Sequence, residues 1–422
     1  MKALRLSANP WTIALAGMVS LGVAMGIGRF AFTPLLPMML NDGVIDLPAA
    51  SWLASANYLG YLVGALLCMA QPWLWARFPR LPSLAFTQLI RGGLLTTAVL
   101  TLAMVGSNAS AWPLLRFLAG VTSGVVFVFT SGWCLSQLAR LGFPSMGGFI
   151  YMGPGAGIVL SGLFASGMLA WQWTAATGWL IFGLLACVLT ALVWPRLSGH
   201  DERLLPLVKK AAGEPSAAVN VGHGSFEMVW LTLSYGIAGF GYIITATFLP
   251  VIARAALPGS HWLDLFWPIF GAGVMTGAWL ATRVRPGSDF RGLLLSGYLV
   301  QAFGIGISLW SPSLLGFALG SLLLGLPFTA NTFFALQEVR RLRPAAAASF
   351  MGLMTATYSV GQILGPPMVA FLMHGDRTPG ETFSLSLQIA MASLLVGAAV
   401  FGWMRRVYPV QPDAVSALTP DR

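Results

Sequence analysis

Two arginines carry most of the chemistry this sequence offers. Arg29 stands in "AMGIGRFAFTPLLP" (24–37) and Arg116 in "LLRFLAG" (114–120), each inside a long apolar run. A guanidinium in hydrocarbon is expensive, so each must do something that outweighs the cost. Guanidinium groups grip carboxylates through paired hydrogen bonds. The acids that could neutralise the two arginines lie elsewhere in the chain. Asp42, Asp46, Asp376 and Glu381 fall in loops on one side, and Asp201, Glu202, Glu214, Asp289, Asp413 and Asp421 on the other. Glu227 and Glu338 sit at helix ends, and Asp264 alone approaches an apolar run from outside. The histidines (His200, His223, His261, His374) are in or beside loops. Two guanidinium groups without a counter-ion of their own make an anion site. Competing uses stay open: Arg29 could reach the interface, or pair with Asp264 or a carbonyl.

Other chemistries are poorly represented. There is no Walker loop, no metal-ligand spacing and no Ser/His/Asp set, so neither an enzyme nor a bound cofactor is expected. Cys68, Cys134 and Cys187 all lie in apolar runs, which argues against disulfides.

The elements that position these residues are membrane helices. Of 422 residues 57% are hydrophobic and only 9% charged, far from a soluble composition. Apolar windows fall at about 11–40, 49–76, 83–106, 110–139, 145–170 and 172–195, then at about 225–256, 261–283, 290–310, 312–339, 345–373 and 382–404. The first is too long for a signal peptide and reads as a retained span. The fold expected is an all-α membrane protein of twelve transmembrane helices: a six-helix bundle over 1–195, a linker over 196–224, a second bundle over 225–406 and a tail over 407–422. Lys and Arg cluster at the termini, in the linker and in alternate loops, whereas the opposite loops carry only Arg254 and Arg377. Both termini are therefore expected in the cytoplasm. The net charge of +10 reflects this topology and not a nucleic-acid partner.

The two halves repeat. "GVAMGIGRFAFTPLLP" (22–37) matches "GIAGFGYIITATFLP" (236–250), and "LLRFLAG" matches "LLGFALG" (314–320). Parallel repeats of six helices enclose a site near the midplane. Tyr242 stands opposite Arg29 and Gly316 opposite Arg116, so the positive charge belongs to one wall only. Roughly seventeen residues of rise put Arg29 about 25 Å from the cytoplasmic end, and six put Arg116 about 9 Å from the outer end. In a core near 30 Å thick the two lie at similar depth.

Polar residues within spans, Asn57, Gln301, Asn331 and Gln362, are further candidates to line the cavity, although interhelical hydrogen bonds are their usual use. Tyr58, Tyr151, Tyr242 and Phe240 could give an aromatic face. Pro34 with Pro37, Pro154 beside Gly153 and Gly157, and Pro366 with Pro367 are expected to bend helices 1, 5 and 11.

These features resemble the major facilitator superfamily over nearly the whole chain. "RFLAGVTSG" (116–124) looks like its Arg-x-x-x-Gly motif, and "GPGAG" (153–157) like the helix 5 motif of its exporters. Its loop 2–3 signature is degenerate here as "PWLWARFPR" (72–80). "GIGRFAFTPLLPMM", "WLASANYLGYLVGAL", "YGIAGFGYIITATFLP" and "GQILGPP" resemble the bacterial YbfB/YjiJ-type subfamily. The resemblance implies a monomeric bacterial inner-membrane transporter without implying its substrate. In that superfamily Arg116 could instead bind carbonyls or assist proton movement. The expectation is a secondary transporter, alternating in access, for a small organic anion held near Arg29 and Arg116. Asp264 and Glu338 are the candidates for proton coupling; anion exchange or substrate-borne protons fit equally. The rival is a proton-coupled exporter of neutral or amphipathic compounds, and a transporter-like receptor or membrane enzyme is more remote.

Overall fold

A computed structural model describes residues 9–78, 84–106, 108–197, 225–260, 262–285, 288–343, 347–374 and 377–409. Most of the expected linker and tail lies outside these residues, as do His200, His223, His261 and Asp376. The apolar windows form helices α1 (Pro10–Asn41), α2 (Leu47–Arg77), α3 (Phe86–Ala103), α4 (Trp112–Arg140), α5 (Met152–Ala170), α6 (Ala175–Val193), α7 (Ser225–Ala256), α8 (Phe266–Ala281), α9 (Phe290–Trp310), α10 (Leu314–Leu342), α11 (Ala347–Leu372) and α12 (Pro379–Val407). Among the described residues eleven helical stretches are long and apolar enough to cross a membrane. The window at 345–373 forms the 26-residue α11. Starts are set locally: Asp46 accepts from Ala49 N at 2.7 Å, and Thr378 with Glu381 closes a capping box. Proline sits in the first turn of α2, α4 and α12, where its missing N–H loses nothing.

Helix α1 is broken, and the break begins before its prolines. Residues Gly22–Ile27 wind as a π-helix and α-helical winding resumes at Phe32. Gly28 N bonds to Val23 O and Phe30 N to Met25 O, each five residues back. The Ala24 carbonyl is thereby released. Thr33 N turns to Phe30 O, which leaves Arg29 O without its usual intrahelical donor. Pro34 and Pro37 lie in the resumed segment. The other expected bends also differ in form. Pro154 falls in the first turn of α5, after a 3₁₀ stretch over Pro144–Tyr151, so the irregularity precedes it. Pro366 and Pro367 lie within an unbroken α11. Helix α10 is interrupted between Gly325 and Phe328, a feature the sequence reading did not anticipate.

The packing repeats as the sequence does. Helix α1 packs on α5, α2 on α4, and α3 on α4 and α6; in the same order α7 packs on α11, α8 on α10, and α9 on α10 and α12. The halves meet chiefly through α2 with α11, α5 with α8, and the resumed part of α1 with α7. Glycines permit a close approach between the π segment of α1 and α5. A Cβ on Gly157 would stand 2.6 Å from both Gly22 O and Gly26 Cα, which are backbone atoms that cannot step aside. Gly157→Val is therefore expected to lower the melting temperature, by the equivalent of about 1–3 kcal/mol of overpacking. Gly167→Ala, with open space around it, should leave it unchanged. Equal melting of both variants would show that α1 and α5 separate freely.

Candidate functional site

The break in α1 is held by α4. Arg116 donates from NH1 to Gly28 O at 3.2 Å and from NH2 to Arg29 O at 3.0 Å. Ser123, two helical turns further along the same face, donates to the freed Ala24 O at 2.6 Å. A backbone unwound at membrane depth needs such partners. Asn57 fixes the arrangement from α2 by donating to Arg116 O at 2.9 Å, while its own Oδ1 has no partner. The sequence expectation that both arginines face one site is thus altered: Arg116 reaches toward Arg29, but two of its three nitrogens hold backbone carbonyls.

Arg29 is placed differently. Its side chain is 3% exposed and its guanidinium carbon lies 4.4 Å from the Tyr61 ring centroid, 5.0 Å from Tyr58 and 5.2 Å from Phe30. Such contacts contribute about 0.5–2 kcal/mol each. NH2 donates to Gln362 Oε1 of α11 at 2.6 Å, and Gln362 Nε2 donates to the Tyr242 hydroxyl of α7. The Nε–H of Arg29 has no partner. Among the described residues no carboxylate pairs with Arg29 or Arg116. A cationic, partly unpaired hydrogen-bond donor, walled by aromatic rings and met among the described residues by a neutral amide, can bind an anion.

Aromatic walls run from Arg29 in both halves. On one side Tyr61, Phe127 and Tyr151 follow at centroid separations of 6.3 and 6.1 Å. On the other Tyr242 and Tyr235 stack on Tyr358 at 5.7 and 4.7 Å, with Phe328 4.7 Å from Tyr242. Tyr61 and Tyr358 were not picked out from the sequence. The three-residue spacing of Tyr58 and Tyr61 on one helix face was the available signal. Phe240 is half-buried and takes part in neither wall.

The remaining expected site residues lie apart. Gln301 donates to Leu324 O at 3.2 Å and accepts from Asn331 at 3.3 Å, a staple between α9 and α10. Asp264 does not neutralise Arg29; it pairs with Arg254 at the end of α7. Glu338 is fully buried, and its Oε1 accepts from both Arg291 Nε and Arg341 NH2 at 2.5 Å. Arg291 also pairs with Glu227 and donates to Tyr408 O at 2.6 Å. Glu227 and Glu338 do sit at helix ends, as expected, and Arg291 is the second residue of α9. Each is nevertheless at most 1% exposed, and together they tie α7, α9, α10 and α12. A small cavity of about 10 Å³ within the second half is lined by Thr245, Ser308 and Ser321, room for about one water and distinct from the Arg29 site.

Comparisons with known proteins fit this architecture. The family model described as "Uncharacterised MFS-type transporter YbfB" matches residues 21–402. Among solved structures, the fold is similar to a D-xylose–proton symporter, with a TM-score of 0.68 at 15% identity, covering 96% of this chain and 98% of that one. It is similar also to the nucleoside transporter NupG, with a TM-score of 0.66 at 14% identity, covering 94% of this chain and 98% of that one. A comparison with curated protein sequences gives no match. The family match over most of the chain, on a broken-helix, two-part helical scaffold, makes this polypeptide a member of the YbfB-type family of major facilitator superfamily transporters.

Proposed function

We propose that the protein moves a small organic anion, a carboxylate with an aromatic part, across the bacterial inner membrane by alternating access. The reading takes twelve spans with both termini cytoplasmic, in six-helix units over 1–195 and 225–406. The observation that carries it is Arg29: a buried cation with an unpaired Nε–H and no carboxylate partner. Arg29 receives the carboxylate, Tyr58 and Tyr61 face the ring beside it, and Arg116 with Asn57 holds the α1 break that aims Arg29. Coupling is carried by the substrate, through exchange or a substrate-borne proton. Asp264 and Glu338 are already held by arginines, away from the Arg29 site.

The second reading, transport of neutral or amphipathic compounds with proton coupling, draws on the neutral amide at Arg29 and the long aromatic walls. A D-xylose–proton symporter and a nucleoside transporter share the fold, and a sugar or a nucleoside carries no charge that a cation must recognise.

Thermal stability of the purified protein in detergent separates the readings, because a ligand of the folded state raises the melting temperature by mass action. Benzoate, acetate, tetraphenylphosphonium, xylose and uridine would be compared. The anion reading expects benzoate to stabilise the wild type by several degrees, acetate less, and neither to stabilise Arg29→Gln. Stabilisation by a neutral or cationic compound alone, retained in Arg29→Gln, overturns it in favour of the second reading.

A further inference from the structure

Gln362 joins two residues that occupy matching places in the sequence repeat, Arg29 of α1 and Tyr242 of α7. All three are at most 3% exposed. The orientation of the amide is dictated by its neighbours. Arg29 can only donate, so the carbonyl must face it and the NH₂ must face the tyrosine hydroxyl. The bond from Arg29 to Gln362 also crosses between the halves. Three more cross beside it: Thr33 Oγ1 to Ala246 O at 2.9 Å, Ser55 Oγ to Ile363 O at 2.9 Å, and Tyr58 to Thr247 at 2.8 Å. All four lie in the half of the helices that ends at Asn41, Leu47, Ala256 and Leu372, away from the arginine-rich ends. This side of the molecule is closed.

These bonds are unequal. Three join neutral groups, and the one at Arg29 is charge-assisted. Opening this side strips Arg29 of its one hydrogen-bonded acceptor among the described residues, in a site walled by aromatic rings. A carboxylate on Arg29 removes that penalty, since it takes the same N–H with a stronger acceptor and can reach the unpaired Nε–H as well.

We infer that Gln362 is a positioning residue that stands in for the substrate's carboxylate: it holds Arg29 in the empty carrier, and the carboxylate displaces it. Loading the site then releases the α1–α11 clasp. This rests on the anion reading for the identity of the displacing group, but the clasp itself does not. An empty carrier held shut in this way reorients more slowly than a loaded one, which favours exchange over net movement.

The test uses Gln362→Ala and Gln362→Glu. Both are placed in a background where Cys68, Cys134 and Cys187 are alanine and Ala246→Cys reports on the closed side. Ala246 is 1% exposed, and its carbonyl bond to Thr33 does not need its side chain. In detergent without ligand, maleimide labelling of the reporter should be at least about tenfold faster in Gln362→Ala than with Gln362 intact, as expected for the loss of a hydrogen bond to a charged group. Gln362→Glu supplies a built-in carboxylate and should label more slowly. In thermal shift, benzoate should stabilise Gln362→Ala more than the wild type and leave Gln362→Glu unmoved. Unchanged labelling in both variants overturns the clasp, whatever benzoate does. Faster labelling of Gln362→Ala with no benzoate effect on the wild type sustains the clasp and rejects the anion reading. An equal benzoate shift in the wild type and Gln362→Glu rejects displacement alone.

Discussion

Replacing Arg291 with methionine is expected to cost about 3–5 kcal/mol of stability, because it removes the buried cation that Glu227 and Glu338 share. Glu227 and Glu338 come from α7 and α10, 64 and 47 residues from Arg291, and both are fully enclosed. The guanidinium between them offsets much of the cost of burying both, and Arg341 adds a second cation on Glu338. A triple variant, Arg291→Met with Glu227→Gln and Glu338→Gln, should recover most of the loss, since neutral amides in place of the acids need no counter-charge. The first half offers a control. Arg91 stands exactly two hundred positions earlier in a similar local sequence, "IRGGLL" against "FRGLLL". It too donates to a carbonyl at the end of its half's sixth helix, Trp194 O at 2.9 Å, much as Arg291 reaches Tyr408 O. Arg91 is only half-buried, however, and the position matching Glu338 is Leu138. Arg91→Met should therefore cost about 1 kcal/mol. Melting temperatures of the four proteins in detergent check the ranking. Equal losses for Arg91→Met and Arg291→Met would mean that the buried acids do not depend on Arg291.

The contrast between these arginines shows what hydropathy can and cannot reveal. Long apolar windows locate the helices because burial in a bilayer demands them, and eleven of the expected spans reappear as helices of sufficient length and hydropathy. The charge pattern is another matter. An arginine one residue inside a helix start looks the same in sequence whether it faces water or two acids from distant helices, so the network around Arg291 was read as topology. The π segment of α1 was invisible for a different reason. Gly22–Ile27 has the composition of an ordinary membrane helix, and only its hydrogen-bond register is unusual. Counting the rise along the two helices points to a neighbourhood of Arg29 and Arg116, and the Arg116 side chain bonds to Arg29 O. Gln362 was identifiable as a polar residue within a span, but its bond to Arg29 joins positions 333 apart in the chain. No local pattern encodes that pairing.

Arg116→Gln should separate the two membrane arginines by role. The native side chain delivers two charge-assisted bonds to Gly28 O and Arg29 O, carbonyls that the irregular winding of α1 leaves to α4. A glutamine at this position is shorter and has one NH₂ group, so at least one carbonyl loses its donor in a site that water does not reach. The expected cost is about 2–4 kcal/mol, seen as a lower melting temperature. Arg116→Lys should fall between, since an ammonium cannot present the planar fork that spans both carbonyls. Arg29→Gln removes a buried cation that, among the described residues, has one hydrogen-bonded acceptor, a neutral amide. Relief of its desolvation offsets the lost ring and hydrogen-bond contacts, so the change should cost less stability than Arg116→Gln while losing the benzoate response. The signature is a crossing of effects: Arg116 governs melting and Arg29 governs ligand response. If Arg116→Gln melts with the wild type yet loses the benzoate shift, the α1 break does not depend on it. Its guanidinium would then belong to the anion, and the site would hold two arginines, not one.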